Sequence, residues 1–223
     1  MKCLVLIFLF ISIGFPSAFT QTNVSNVDKG MAYTNSITAR AEKIVAALGI
    51  SDSGKFIRLK NIITGHYREL NDIYTLRDEQ IKTAKTQLNG NNDGLKQELG
   101  KIEQQSNSKI ETLHPKFLSA LSAELSPKQV DQVKDGLTYD VVHVTYNGYN
   151  QMILNLTEVQ KKQIMDWLIE AREHAMDAES SDKKHAWFGK YKGRINNYLS
   201  AAGYDLKKEG EEWEKRRNAV RAN

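Results

Sequence analysis

From Phe56 to Leu88 the apolar side chains Phe56, Leu59, Ile63, Tyr67, Leu70, Tyr74, Ile81, Ala84 and Leu88 recur at three- and four-residue steps, with one charged interruption at Arg77. That spacing lines one face of an α-helix and no face of a strand, so it predicts a long helix starting near Ser51 and Asp52. The run Asn89-Gly90-Asn91-Asn92-Asp93-Gly94 follows, six residues that favour turns and tolerate positive φ. A second periodic set then begins, Leu95, Leu99, Ile102, Ile110 and Leu113. The two arms are expected to fold back as an antiparallel hairpin. At 1.5 Å per residue the first arm spans about 50 Å, more than a compact domain needs, so part of the hairpin is expected to project.

The rest of the chain points the same way. Only three prolines occur, and β-branched runs are nearly absent, so the expected class is all-α, a helical hairpin packed with a C-terminal helical bundle. Pro115 is expected to end one helix and open another that turns Phe117, Leu118 and Leu121 inward. Ser126-Pro127-Lys128-Gln129 and Thr157-Glu158-Val159-Gln160 both read as capping boxes, the first stapled by Leu125 and Val130. The helix after the second box carries Ile164, Trp167, Leu168, Ala171 and Ala175 on one stripe. Leu137 to Ile153 holds the strand-like Val141, Val142, Val144 and Thr145 between Gly136 and Gly148; it reads as an extended crossing segment leading into a short helix. Ser180 and Ser181 offer an N-cap for a helix through Leu199, Gly203 a stop, and Asp205 the start of a charged, solvated tail helix around Trp213.

Lys2, the apolar run Cys3 to Phe15, and then Pro16, Ser17, Ala18, Phe19 and Thr20 have the pattern of an export leader cleaved after Thr20. The apolar stretch is short for a membrane span, so the expectation is a periplasmic or secreted protein with no stable membrane insertion after cleavage. Residues 21–223 then form one helical domain: an N-terminal segment 21–50, the hairpin 51–113, a bundle 114–204 and the tail helix 205–223. Cys3 is the only cysteine and leaves with the leader, so folding rests on packing without disulfides, and no thiolate remains as nucleophile or metal ligand. Loss of Lys2 takes the formal charge from +4 to +3, and the remaining Lys and Arg are interleaved with Asp and Glu, which argues against nucleic acid as a partner.

The densest aromatic and polar stretch runs from Lys184 to Tyr198. On a helix Trp187, Tyr191, Arg194 and Tyr198 sit at steps of four, three and four, with His185 and Asn197 at the margin. These six are the candidate ligand-binding residues: aromatic faces stack on sugar rings while Arg and Asn bond hydroxyls. Aromatics at helical spacing usually build cores, so the competing reading of the same row is packing with polar tips at the surface. Gly189 and Gly193 cost helix stability and suggest that a backbone or ligand comes close. Glu170, His174 and Asp177 share a helical face with the spacing of metal ligands or an acid–base pair, and also of a solvated ion pair. Nothing shows that His66, His114, His143 or His185 joins them, so no catalytic residue, metal or cofactor is assigned. No Gly-x-Ser-x-Gly and no phosphate-binding Gly-rich loop is present.

Two stretches carry a family resemblance: Arg40 to Leu48 continuing to His66-Tyr67-Arg68-Glu69-Leu70-Asn71-Asp72-Ile73, and Trp167 to Glu173 running through Lys184 to Tyr198. Together they resemble the domain of unknown function 3826 family over nearly all of the mature chain. The resemblance implies an exported protein of polysaccharide-degrading Gram-negative bacteria with a sugar-binding role, and it implies no particular binding residue. Leu156-Thr157-Glu158-Val159-Gln160 and Leu125-Ser126-Pro127-Lys128-Gln129 also resemble the Leu-Thr-x-x-Gln motif of small helical periplasmic chaperones, a motif that capping alone explains. The expected function is carbohydrate binding that accompanies polysaccharide breakdown without catalysis. The alternatives are a scaffold or chaperone using the hairpin, and a hydrolase or lyase with a pocket of convergent His, Arg, Tyr and carboxylate groups.

Overall fold

The computed structural model of the chain describes residues 21–221, and the expected leader, residues 1–20, lies outside them. Eight helices and no strand are found among the described residues: α1 Gln21–Ala46, α2 Ser53–Gln87, α3 Asn92–Ser122, α4 Pro127–Leu137, α5 Val141–Met152, α6 Glu158–Met176, α7 Ser181–Ala201 and α8 Leu206–Arg221. The class is all-α, as the periodicity predicts.

The hairpin is α2 against α3. Asp52 accepts from the Lys55 amide at 2.9 Å to open α2, and Asn91 accepts from the Gly94 amide at 3.0 Å to open α3. Gly90, with φ of +85°, turns the chain between them. Near its base the hairpin buries Leu59, Ile63, Leu70, Leu113, Phe117 and Leu121, whereas between residues 75 and 101 Ala84 alone is buried. The distal half is therefore a two-helix ribbon with a thin seam.

Two core clusters lie behind it. In the first, Ala41, Ile44 and Val45 of α1 pack with Leu59 and Ile63 of α2, Phe117 and Leu121 of α3, and Val130, Val133 and Leu137 of α4. The second is built from α5, α6 and α7 around Val142, Tyr149, Ile164, Leu168, Phe188, Ile195 and Leu199. Met176, at the end of α6, inserts into the first cluster and ties the two together. Gly136 is required here: a Cβ on it would lie 2.9 Å from Ile44 Cγ1, so α1 and α4 approach too closely for a side chain.

Both capping boxes form. Ser126 and Gln129 exchange bonds of 3.4 and 3.2 Å, Thr157 and Gln160 bonds of 3.3 and 2.9 Å, and Leu125 and Val130 are both buried beside the first. Ser180 caps α7 through the Lys183 amide at 3.2 Å, and Gly203, with φ of +94°, follows its end.

Three expectations are corrected. Pro115 does not separate two helices; α3 runs through it to Ser122. Leu113 and Phe117, buried on either side, hold the helix together across the proline, and the carbonyl of Glu111 that loses its partner belongs to an exposed residue open to water. The strand-like valines do not extend: Val141 opens α5, after Tyr139 and Asp140 turn the chain at φ of 60° and 56°. Burying Val142 and Tyr149 against the second core outweighs a β preference of a few tenths of a kcal/mol per residue, about that order. Most of the N-terminal segment 21–50, for which no element was expected, is α1.

Candidate functional site

Where the hairpin meets the C-terminal bundle, the molecule has a cleft of about 710 Å³. One wall is a single face of α3, where Glu103, Asn107, Ile110, Glu111 and His114 follow at helical steps. Tyr74 and Arg77 of α2 line it beside them, and the opposite wall is Glu173, His174 and Asp177 at the end of α6 with Lys183 and Trp187 of α7. Arg77 broke the apolar stripe of α2 for this reason: its guanidinium spans to Glu179 and Asp78 instead of entering the seam.

At the back of the cleft one carboxylate gathers two histidines. Asp177 Oδ1 bonds His66 Nε2 of α2 at 2.9 Å, and Oδ2 bonds His114 Nδ1 of α3. His66 and Asp177 are almost sealed from water, with side chains 1% and 7% exposed, whereas His114 keeps 25% of its side chain open. His66 stacks on Phe117 with ring centroids 3.9 Å apart, and its Nδ1 has no partner. Tyr74 donates its hydroxyl to the Asp177 carbonyl at 2.8 Å.

These contacts set the charge states. Burial works to raise the Asp177 pKa, but hydrogen bonds from His114 and His66 prevail and hold it below the usual carboxylate range. The hydrogen bond to Asp177 raises the His114 pKa against the opposing effect of burial, and Glu173, 3.7 Å from His114 Nε2, adds to it. Burial pushes Tyr74 up to about 12, so its phenol stays protonated. Next to this group Lys184 is buried, donates to the Met176 carbonyl at 2.7 Å, and is pushed down to about 8 by burial.

A family model, a protein of unknown function (DUF3826), matches residues 34–219 and so spans every residue of this cleft. The chain belongs to the DUF3826 family. No curated protein matches it.

In this DUF3826 chain the six residues chosen from the sequence do not form one surface. Trp187 alone lines the cleft, half-buried, its indole stacked on His174 with centroids 4.5 Å apart and Lys190 Nζ 4.9 Å from its centroid. Tyr191 is buried in the second core, and burial, then a hydrogen bond with Glu170, pushes it up to about 12. Arg194 lies over Trp167 at 4.6 Å, and Tyr198 meets that indole edge-on at 5.3 Å. Asn197 is exposed, and His185 stacks on Tyr139 at 5.6 Å. Gly189 and Gly193 are a further correction: a Cβ on either would meet nothing within 4 Å, so no backbone approaches them.

The face of Glu170, His174 and Asp177 also divides. Asp177 is buried with the two histidines, His174 is exposed at the cleft, and Glu170 pairs with Arg194 at 3.5 Å. Among the described residues, the group with metal-ligand spacing is Asp135, Asp140 and His143, away from the cleft. Its Asp135 is already held by Arg172 at 2.7 Å, a cation that competes with a metal ion. Sequence reasoning named His66, His114 and Asp177 without joining them, because three separate helices bring them together and no local spacing records it.

Proposed function

We propose that the cleft between hairpin and bundle binds a saccharide, with Trp187 as the stacking platform. The observation that carries this reading is the setting of Trp187: a half-buried indole braced by His174 on the wall of a cleft of about 710 Å³. Sugar rings offer C–H faces to such a ring and hydroxyls to the groups around it. Arg77, Asn107 and Lys183 supply donors, and the carboxylates of Glu103 and Glu111 supply acceptors. A bound sugar displaces Lys190 from over the indole, an exposed cation–π contact worth about 0.5–1 kcal/mol.

The leader pattern and the family resemblance both agree with an exported protein that meets glycans outside the cytoplasm. Among the described residues no helix is long and apolar enough to cross a membrane. The scaffold reading has less support, because the large apolar side chains exposed on the hairpin are Ile57 and Leu76, about 28 Å apart along α2.

Calorimetric titration of the protein with pectic, hemicellulosic and host glycans tests the reading. Binding heat with at least one class is expected, weakened about tenfold or more by Trp187→Ala. No heat from any of them overturns it.

A further inference from the structure

The His114–Asp177 pair is more than a stacking site requires. His114 Nδ1 is fixed on a buried carboxylate, which leaves Nε2 on the cleft side as the atom that can give or take a proton. An imidazole oriented by a carboxylate in this way has the geometry of a general acid–base group. Tyr74 is unsuited to the part, since its hydroxyl is spent on the Asp177 carbonyl. The cleft lining contains no Ser, Thr or Cys, but it does contain carboxylates, and a carboxylate that activates a water for direct attack is one of the two established routes to glycoside hydrolysis.

Charge selects the reaction. Five carboxylates, Glu103, Glu111, Glu173, Asp177 and Glu179, line the cleft against the two fixed cations Arg77 and Lys183. Elimination from a uronic acid chain needs cations to neutralise the substrate carboxylate, and here Arg77 is already engaged by Glu179 and Asp78. An uncharged glycan meets no such repulsion. Of the carboxylates, Glu173 is tied to Lys134 at 2.9 Å and Arg172 at 3.4 Å. Glu111 is exposed, forms no ion pair among the described residues, and stands one turn before His114 on the same wall.

We propose that the cleft hydrolyses a glycosidic bond of a neutral saccharide, with His114 as proton donor, Asp177 as the residue that positions it, and Glu111 as base for the attacking water. The inference rests on the saccharide-binding reading above. His114 gives its Nε2 proton to the leaving glycosidic oxygen as the bond from that oxygen to the anomeric carbon breaks. The water oxygen bonds to the same carbon, and its proton passes to the Glu111 carboxylate. One water is consumed, one reducing end and one alcohol appear, and the Glu111 proton returns to His114 through solvent. The groups facing His114 are Asp177 and Glu173 of the α6 end, Lys134 of α4, and His66 of α2 through Asp177, while Glu111 stands one turn earlier on its own helix. Asp177 and Glu173 favour the imidazolium and Lys134 opposes it, with the net shift upward, as a proton donor near neutral pH requires.

The test is release of reducing ends from xyloglucan, galactomannan and arabinan by the purified protein, with titration heats measured in parallel. Cleavage of a bound glycan is expected, with turnover reduced about a hundredfold or more in His114→Gln and in Glu111→Gln while the titration heat persists. Glu111 is exposed, so its variant folds even where the histidine variant does not. Asp177→Asn is expected to lower kcat and to move the alkaline limb of the pH profile to lower pH, because the imidazolium loses its partner. A purely structural Asp177 would leave that limb in place. Binding without any reducing ends overturns the hydrolysis and leaves the saccharide reading standing, whereas neither heat nor products overturns both. Unchanged turnover in His114→Gln, or an unsaturated product from pectic uronates alone, also overturns the proposal.

Discussion

His66 Nε2 meets Asp177 Oδ1 at 2.9 Å where both side chains are shut away from water, and His114 occupies the other oxygen of the same carboxylate. Two hairpin helices are thereby fastened to the end of α6, the point at which Met176 joins the two cores. Asp177→Ala takes from both imidazoles the carboxylate they share. Loss of one partner from a buried pair costs about 3–5 kcal/mol. Urea unfolding is expected to show a drop of that size, against about 0–1 kcal/mol for Glu42→Ala, which removes the open pair with Lys60. Equal effects for the two variants would contradict the clamp.

The clamp also has a pH window. The folded pKa of His114 lies above its ordinary 6.5, so its contribution is complete below that value and is lost as pH rises through the folded pKa. The folded pKa of Asp177 lies below its ordinary 3.8, so its contribution is complete above that value and is lost as pH falls through the folded pKa. Both are present in full between 3.8 and 6.5. Urea midpoints measured across pH are expected to be highest in that interval, and His114→Gln is expected to remove the decline on its neutral side. A decline that survives the substitution would assign it to other groups.

Much of this architecture was legible because its signals are local. The stripe from Phe56 to Leu88, the turn at Asn89 to Gly94 and the boxes at Ser126 and Thr157 each specify an element within one or two helical turns. Pro115 and the valines of α5 were misread because tertiary packing decided them: Phe117 and Tyr149 are buried by partners far away in the chain. The site suffered the same way. Trp187 was found by its type, but its neighbours in the cleft come from α2, α3 and α6, and a row on one helix could not reveal that Tyr191 faces the core and His185 the opposite side. Arg77 was the one visible trace, an interruption that made sense only once Glu179 stood opposite.

Gly189 and Gly193 give a prediction of opposite sign. Both lie in the interior of α7 and face open space, so each Cβ would restrict the unfolded chain without touching anything in the folded one. Alanine at either position is expected to stabilise by about 0.5–1 kcal/mol, raising Tm by a few degrees at most. Gly136→Ala is expected to destabilise, since its Cβ would press on Ile44 at 2.9 Å. Calorimetric melting of the three variants checks the contrast, and destabilisation by both α7 alanines would mean that something approaches them after all.

Alkaline stability is governed by Lys184 and the buried tyrosines acting in opposite directions. Burial puts the Lys184 amine at about 8 against an ordinary 10.5, so above pH 8 the unfolded chain binds the extra proton and stability rises with pH. Tyr67, Tyr74 and Tyr149 are pushed by burial from 10.0 to about 12, so above pH 10 the folded chain holds the extra protons and stability falls. A local maximum near pH 9 to 10 is expected in urea midpoints after the His114 contribution has been lost. Lys184→Met removes the rising limb and leaves the tyrosine decline untouched, at the cost of an unpartnered Met176 carbonyl that lowers stability at every pH. If the rise between pH 8 and 10 persists in that variant, the amine is not its source.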